Sequence, residues 1–188
     1  MLFRSKLTGD KVGDILFSYD AELERVIKNY YEKGGDKTMT FLHVHSAGRL
    51  LNRCEKTFLS THEEIGKECA VLNCDDSYTH TYNDFKEYFQ THKKGYFVVY
   101  RDSIAAAVEN AATDSGLKVP EDVEVLSLVG TKYANIVRPT LSAMHIDMSE
   151  VGRRAMNMLS DLLSQNLVNK QAKFEAVFVE GQSTIHRE

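Results

Sequence analysis

Four charged side chains stand where strand-like runs end, and their types suit holding a ligand better than breaking a bond. Asp20 follows the apolar Ile15-Leu-Phe17. Arg53 lies in a helix-patterned stretch after the apolar run Met39 to Val44, one turn beyond Arg49. Arg101 and Asp102 close the run Tyr96-Phe-Val-Val-Tyr100. Carboxylates accept hydrogen bonds and a guanidinium donates several from a rigid fork, a set suited to sugar hydroxyls or a small anion. If the strands run parallel, all four residues fall on one rim of the sheet, where ligands of open α/β sheets bind. Without that geometry they read as surface charges and helix caps.

The remaining reactive residues carry less. His43-Val-His45 would put two imidazoles on one strand face, yet no carboxylate or cysteine stands at ligand spacing. A polar strand end is the better reading, and no metal is expected. Cys69 and Cys74 lack the two-residue spacing of a redox pair and read as inert thiols. Glu63-Glu64 and Asp75-Asp76 have no nucleophile or basic partner in view. No G-x-S-x-G, P-loop or G-x-G-x-x-G occurs, so neither catalysis nor a cofactor is expected.

The elements that must position the four charges are organised around residues 105–130. Ile104, Val108, Ala111 and Ala112 share one helical face, Gly116 stands at the stop, and Pro120 follows. Val123 to Val129 is then too continuously apolar for a strand with one wet face, which predicts a strand covered on both sides. Upstream, Leu23, Val26, Ile27, Tyr30 and Tyr31 give a helix with Asp20 as its N-cap and Gly34-Gly35 as its stop. Helices are also expected over 48–61 and around Tyr82 to Phe89, with a strand from Cys69 to Leu72. Downstream come a strand from Leu141 to Ile146, a helix carrying Met148, Val151, Ala155, Leu159, Leu162 and Leu163, and a last strand from Phe174 to Val179. Alternation of this kind predicts an α/β fold with a doubly wound, mainly parallel sheet.

The totals exclude several classes. The 188 residues bury a real core in one or two small domains. A net charge of −4 gives no basic footprint for nucleic acid. Three cysteines at irregular spacing fit reduced thiols in a cytoplasmic protein. No stretch approaches a membrane span.

Several segments, in order, resemble the LacI/GalR family of transcriptional regulators. Ser115-Gly-Leu-Lys-Val-Pro-Glu-Asp-Val-Glu-Val-Leu is similar to the family's Gly-Leu-x-Val-Pro-x-Asp-Val-x-Val segment. Tyr96 to Ala105 resembles its strand ending in Asn-Asp, and Arg138 to Ala155 its Pro-x-Leu-Thr-Thr-Val strand with the Gly-x-x-Ala helix. Val179-Glu-Gly-Gln-Ser-Thr resembles the closing Arg-x-Ser-Thr, and Ile15 to Gly34 the segment leading to Gly-His-x-x-Ile. Arg53 falls where the family places its ligand-gripping arginine. The resemblance covers about residues 13 to 185.

It implies a two-lobed periplasmic-binding-protein-like fold that holds a small, sugar-like effector between its lobes, and it implies a homodimer. Residues 13–139 and 174–185 would form the C-terminal lobe, and 141–170 a segment of an incomplete N-terminal lobe. The helix-turn-helix through which the family reaches DNA has no counterpart here, so no DNA-binding domain and no specific DNA binding are expected of this chain. Three departures touch the site. Val129-Gly130 stand where the family ends its strand with an effector-binding Asp, Arg101 replaces Asn, and Lys56 replaces a Gly. With Arg53, Arg101 would favour an anionic ligand such as a phosphorylated or acidic sugar. The expected function is effector sensing. The alternatives are a stand-alone cytoplasmic sugar-binding module and a small α/β enzyme using Asp102 as acid–base. The apolar face of the helix over 147–164 is expected to be buried between chains or folded back.

Overall fold

The computed structural model describes residues 13–44, 48–164 and 171–187. Strand and helix alternate as β1 (Asp14–Ser18), α1 (Asp20–Glu32), β2 (Met39–Val44), α2 (Arg49–Ile65), β3 (Cys69–Cys74), α3 (Tyr78–Thr91), β4 (Gly95–Arg101), α4 (Asp102–Asp114) and β5 (Val123–Val129). A 3-10 turn (Lys132–Asn135), β6 (Ser142–His145), α5 (Met148–Leu163), β7 (Gln171–Glu175) and β8 (Val177–Val179) complete the chain.

Six strands form one sheet in the order β3-β2-β4-β5-β6-β8. Its first five are parallel, and β8 runs antiparallel on the edge. Short hairpins cannot link parallel neighbours, so each needs a crossover, which is an α-helix except between β5 and β6, where the loop with the 3-10 turn serves. Helices α1 and α2 cover one face, where Leu23, Ile27, Phe41 and Phe58 are fully buried. On the other face, α3 and α4 bring Phe85, Phe89, Val108 and Ala111 onto Phe97 and Val125. Both faces of β5 are therefore covered, as its unbroken apolar run predicts. The alanines of α4 leave little between that helix and the sheet, and all five from Ala105 to Ala112 are buried.

Two expectations change here. Asp20 is the first residue of α1 and not its cap; Tyr19 occupies the cap without a side-chain bond. Asp20 is instead drawn across to α2, as described below. The single strand expected over Phe174–Val179 breaks at Ala176 into β7 and β8, which belong to different sheets. The reason is the path of the chain. β7 pairs in parallel with β1 outside the main sheet, and the Ala176 amide donates to the Ser18 carbonyl at 2.8 Å before β8 turns onto β6.

A two-stranded ribbon needs further cover to be stable, and α5 supplies part of it. Asp147 caps this helix, accepting from the amides of Ser149 and Glu150 at 2.9 and 3.0 Å. Val151 and Met158 are buried. A cavity of ≈ 200 Å³ remains between Ile15 of β1 and Ala155, Met158 and Leu162 of α5. Met148, Met156, Leu159 and Leu163 stay 49–70% exposed.

The edge opposite the carboxyl ends of the strands holds a buried ion cluster. Glu124 of β5 is fully buried and accepts from Lys37 Nζ at 2.8 Å, from both Nη atoms of Arg187 at 2.8 and 2.7 Å, and from the Ile185 amide at 2.8 Å. The Arg187 guanidinium also lies 4.4 Å over the Tyr30 ring. This cluster ties the last residues of the chain to the sheet. Among the described residues, no helix is long and apolar enough to cross a membrane.

Candidate functional site at the carboxyl rim

The carboxyl ends of β1, β4 and β5 and the first turns of α2 meet on one side of the molecule. Asp20 and Arg53 are brought together there. Arg53 Nη2 donates to the Asp20 carboxylate and reaches Ser18 Oγ at 3.3 Å. Thr57, one turn further along α2, donates to Asp20 Oδ1 at 3.3 Å. The Arg53 side chain remains 47% exposed, so it faces solvent while held in place from behind. These contacts run through Nη2, which among the described residues leaves the donors on Nε and Nη1 for a ligand.

Arg101 and Asp102 take other partners. Arg101 Nη2 pairs with the Asp76 carboxylate and donates to the Asp76 carbonyl at 3.3 Å. Asp102 is buried and accepts from the Thr131 amide at 2.9 Å and from the Thr131 hydroxyl. That hydroxyl in turn accepts from the Tyr133 amide at 3.1 Å. Asp102 thus pins the loop after β5 to the start of α4 through the amide and hydroxyl of Thr131. Arg49 is exposed on α2.

Between these charges the floor is apolar. Leu50, Tyr100 and Val129 are partly covered, and Tyr19, Cys54 and Leu128 fill the space beneath them. Burial pushes the Tyr19 phenol up to about 12, helped by neighbouring Cys54 and Tyr100. Burial pushes the Cys54 thiol up to about 11. It pushes Cys74 up to about 12, with Asp76 and Asp75 adding to the effect. Burial thus keeps both thiols protonated and unreactive. A Cβ on Gly130 would lie 2.5 Å from His145 Nε2 and 2.7 Å from the Ala143 Cβ, so that position admits no side chain.

His43 of β2 pairs with Glu55 of α2. His45 lies outside the described residues, so the two-imidazole arrangement has no described geometry. Among the described residues, no group of three or more His, Cys, Asp or Glu is placed to hold a metal. Sequence reasoning missed the floor, the Thr131 clamp and the His43–Glu55 pair. Thr131 carried a signal, since it follows directly on a strand ending beside Asp102. Leu50 and Val129 carried none, because apolar residues at element ends look like any core.

A model of the periplasmic binding protein-like domain matches residues 29–184. The chain belongs to that family. The periplasmic-binding-protein-like chain is 28% identical over 120 residues to the HTH-type transcriptional regulator pepR1 of Lactobacillus delbrueckii subsp. lactis, covering 63% of itself and 36% of that protein. It is 37% identical over 62 residues to the HTH-type transcriptional regulator GalR of Streptococcus thermophilus, covering 33% of itself and 19% of the relative. The chain therefore spans a minor part of the length of the curated relatives it matches. Among solved structures, a LacI family transcriptional regulator from Arthrobacter sp. FB24 in complex with lactose matches with a TM-score of 0.81 at 22% identity, covering 96% of this chain and 69% of that one. CcpA of Lactococcus lactis matches with a TM-score of 0.77 at 21% identity, over 95% of this chain and 67% of that one. The fold is that of the effector-binding part of such regulators, and the resemblance drawn from the sequence stands.

Proposed function

We propose that this chain senses a small effector, sugar-like or sugar-phosphate-like, as part of the ligand-binding domain of a LacI/GalR-type regulator. The observation that carries the reading is Arg53, buttressed by Asp20, Ser18 and Thr57 yet open to solvent at the carboxyl rim. Such a fork binds a carboxylate, a phosphate or a vicinal diol in two-point fashion. Asp20, Arg101 and Asp102 belong to the same rim. Asp20 orients Arg53, while Arg101 and Asp102 shape the loops on either side. The effector acts by binding one arrangement of two lobes better than another, so it biases a cytoplasmic homodimer whose DNA contacts lie in a helix-turn-helix domain. Commitment of Asp102, the acid–base candidate, to the Thr131 amide and hydroxyl supports sensing over chemistry on the effector.

The lobes divide as the strands do. This differs from the division expected above, 13–139 and 174–185 against 141–170: on the strand order, the six-stranded sheet with α1 to α4 would form the C-terminal lobe, while β1, β7 and α5 would contribute to the second. Calorimetric titration with sugars and sugar phosphates tests the site. Arg53→Ala should weaken the ligand by about 1.5–3 kcal/mol, the worth of hydrogen bonds to a charged group, and Arg49→Ala by much less. Equal losses in the two variants would place the ligand elsewhere.

The exposed apolar residues of α5 carry a second expectation. Leaving Met148, Met156, Leu159 and Leu163 in water favours association. The chain should run as a dimer or larger species at micromolar concentration, and Leu159→Lys with Leu163→Lys should drive it toward monomer in light scattering. An unsubstituted chain that is already monomeric would rule out burial of α5 between copies.

A further inference from the structure

A second polar cavity lies away from the rim, beside the buried ion cluster. It measures ≈ 60 Å³ and is lined by Arg25, Asn29 and Tyr30 of α1, Tyr96 of β4, and Glu180 and Arg187 of the closing segment. Tyr96 is 2% exposed, with its ring set edge-on to Tyr30 at 4.9 Å. Its hydroxyl lies among the charges of Glu124, Arg187 and Glu180, and it has no hydrogen-bond partner among the described residues. A buried hydroxyl left in that state is costly unless something in the cavity meets it. Further donors stand around the same space. Arg25 spends Nε and Nη2 on Glu22, which leaves Nη1. Arg187 spends both Nη atoms on Glu124, which leaves Nε. The Asn29 amide has no partner among the described residues. Beneath them, Lys37 and Arg187 converge on the single carboxylate of Glu124, so one positive charge is left over. Converging donors over a surplus positive charge suit a small anion.

One wall narrows the class. Glu180 accepts from His186 Nδ1 at 2.7 Å through Oε2, which leaves Oε1 as an acceptor. A carboxylate there repels an anion that carries no proton and accepts from one that does. We propose that this cavity binds inorganic hydrogen phosphate, whose oxygens accept from Tyr96, Asn29, Arg25 and Arg187 and whose hydroxyl donates to Glu180. Sulfate has the same shape but no proton to give. A phosphate monoester, with a second pKa of about 6, has lost its proton at pH 7.5. The volume agrees, being room for about four waters and too little for a sugar ring. The site does not depend on the rim being the effector site, and either can fail without the other.

Calorimetric titration of the whole chain at pH 7.5 and constant ionic strength tests this with three probes: inorganic phosphate, sulfate and ethyl phosphate. Phosphate should bind about tenfold or more tighter than either of the others, the worth of one hydrogen bond to a charged group. Tyr96→Phe, which keeps the ring on Tyr30, should weaken phosphate by about the same factor. Asn29→Ala, at a half-buried position of α1, serves if the strand variant does not fold. Glu180→Gln should abolish the preference over sulfate, an effect that a merely structural role for Glu180 would not produce. No saturable phosphate binding would overturn the proposal, since the cavity would then hold only water. Sulfate or ethyl phosphate binding the parent as tightly as phosphate would overturn the ligand class. Phosphate binding unchanged in Tyr96→Phe and Asn29→Ala would overturn the site, because the ion would then sit elsewhere, at the rim arginines for example.

Discussion

Glu124→Gln should destabilise the fold by about 3–5 kcal/mol, the usual cost of removing one member of a buried charge cluster. The amide cannot neutralise Lys37 and Arg187, whose charged groups already converge on a fully buried carboxylate. Burial alone would raise the Glu124 carboxyl, but hydrogen bonds from Arg187, Lys37 and the Ile185 amide outweigh it and hold the group below the usual carboxylate range. The sign follows. A depressed folded value gives stability that is present above the unfolded value of 4.5 and lost as pH falls through the folded one. Urea unfolding should therefore show the parent chain losing stability in acid faster than Glu124→Gln does. Adding Lys37→Met to Glu124→Gln should recover part of the loss, because one of the two stranded cations is then gone. A loss below about 1 kcal/mol would mean that water reaches the cluster and screens it.

Glu109→Gln should act in the opposite direction. Glu109 of α4 is 1% exposed, and its Oε1 has no hydrogen-bond partner among the described residues. Burial pushes its carboxyl up to about 8. Between the unfolded value of 4.5 and that folded value, the unfolded chain sheds a proton that the native chain keeps. Stability therefore falls as pH rises across this window and levels off above it. At about 1.4 kcal/mol per pH unit, a few kcal/mol are lost by pH 8, and the glutamine variant regains them. Unfolding midpoints at pH 5 and pH 8 decide the matter. The parent should be clearly less stable at pH 8, while the variant should be nearly level. A parent with no slope over that range would mean that Glu109 reaches a partner or water when ionised.

Much of the scaffold was legible because burial writes itself into periodicity. The unbroken run Val123 to Val129 announced a strand covered on both faces, and Leu23, Val26, Ile27 and Tyr30 announced the buried side of α1. The break at Ala176 was not legible. Phe174 to Val179 keeps strand-like composition through the break, and only the pairing of β7 with β1 and of β8 with β6 reveals two sheets. The site was legible as positions but not as pairings. That Asp20 and Arg53 would meet followed from a common rim. That Arg101 would turn to Asp76 and Asp102 to Thr131 depends on loop paths that no spacing encodes. Glu124 and Glu109 show the same limit more sharply. Both are glutamates in apolar runs, and only the fold distinguishes the one with three donors from the one with an oxygen left bare.

Amide hydrogen exchange tests effector sensing at the carboxyl rim most directly. The chain should be compared alone and saturated with whichever sugar, sugar phosphate or glycoside most raises its melting temperature, since a ligand of the native state stabilises it by mass action. The expected result is new protection at residues 18–20, 49–54, 100–102 and 129–131, the four segments that meet at the rim. Protection confined to the opposite edge, around Lys37, Gly95, Asp122 and Ile185, would contradict it.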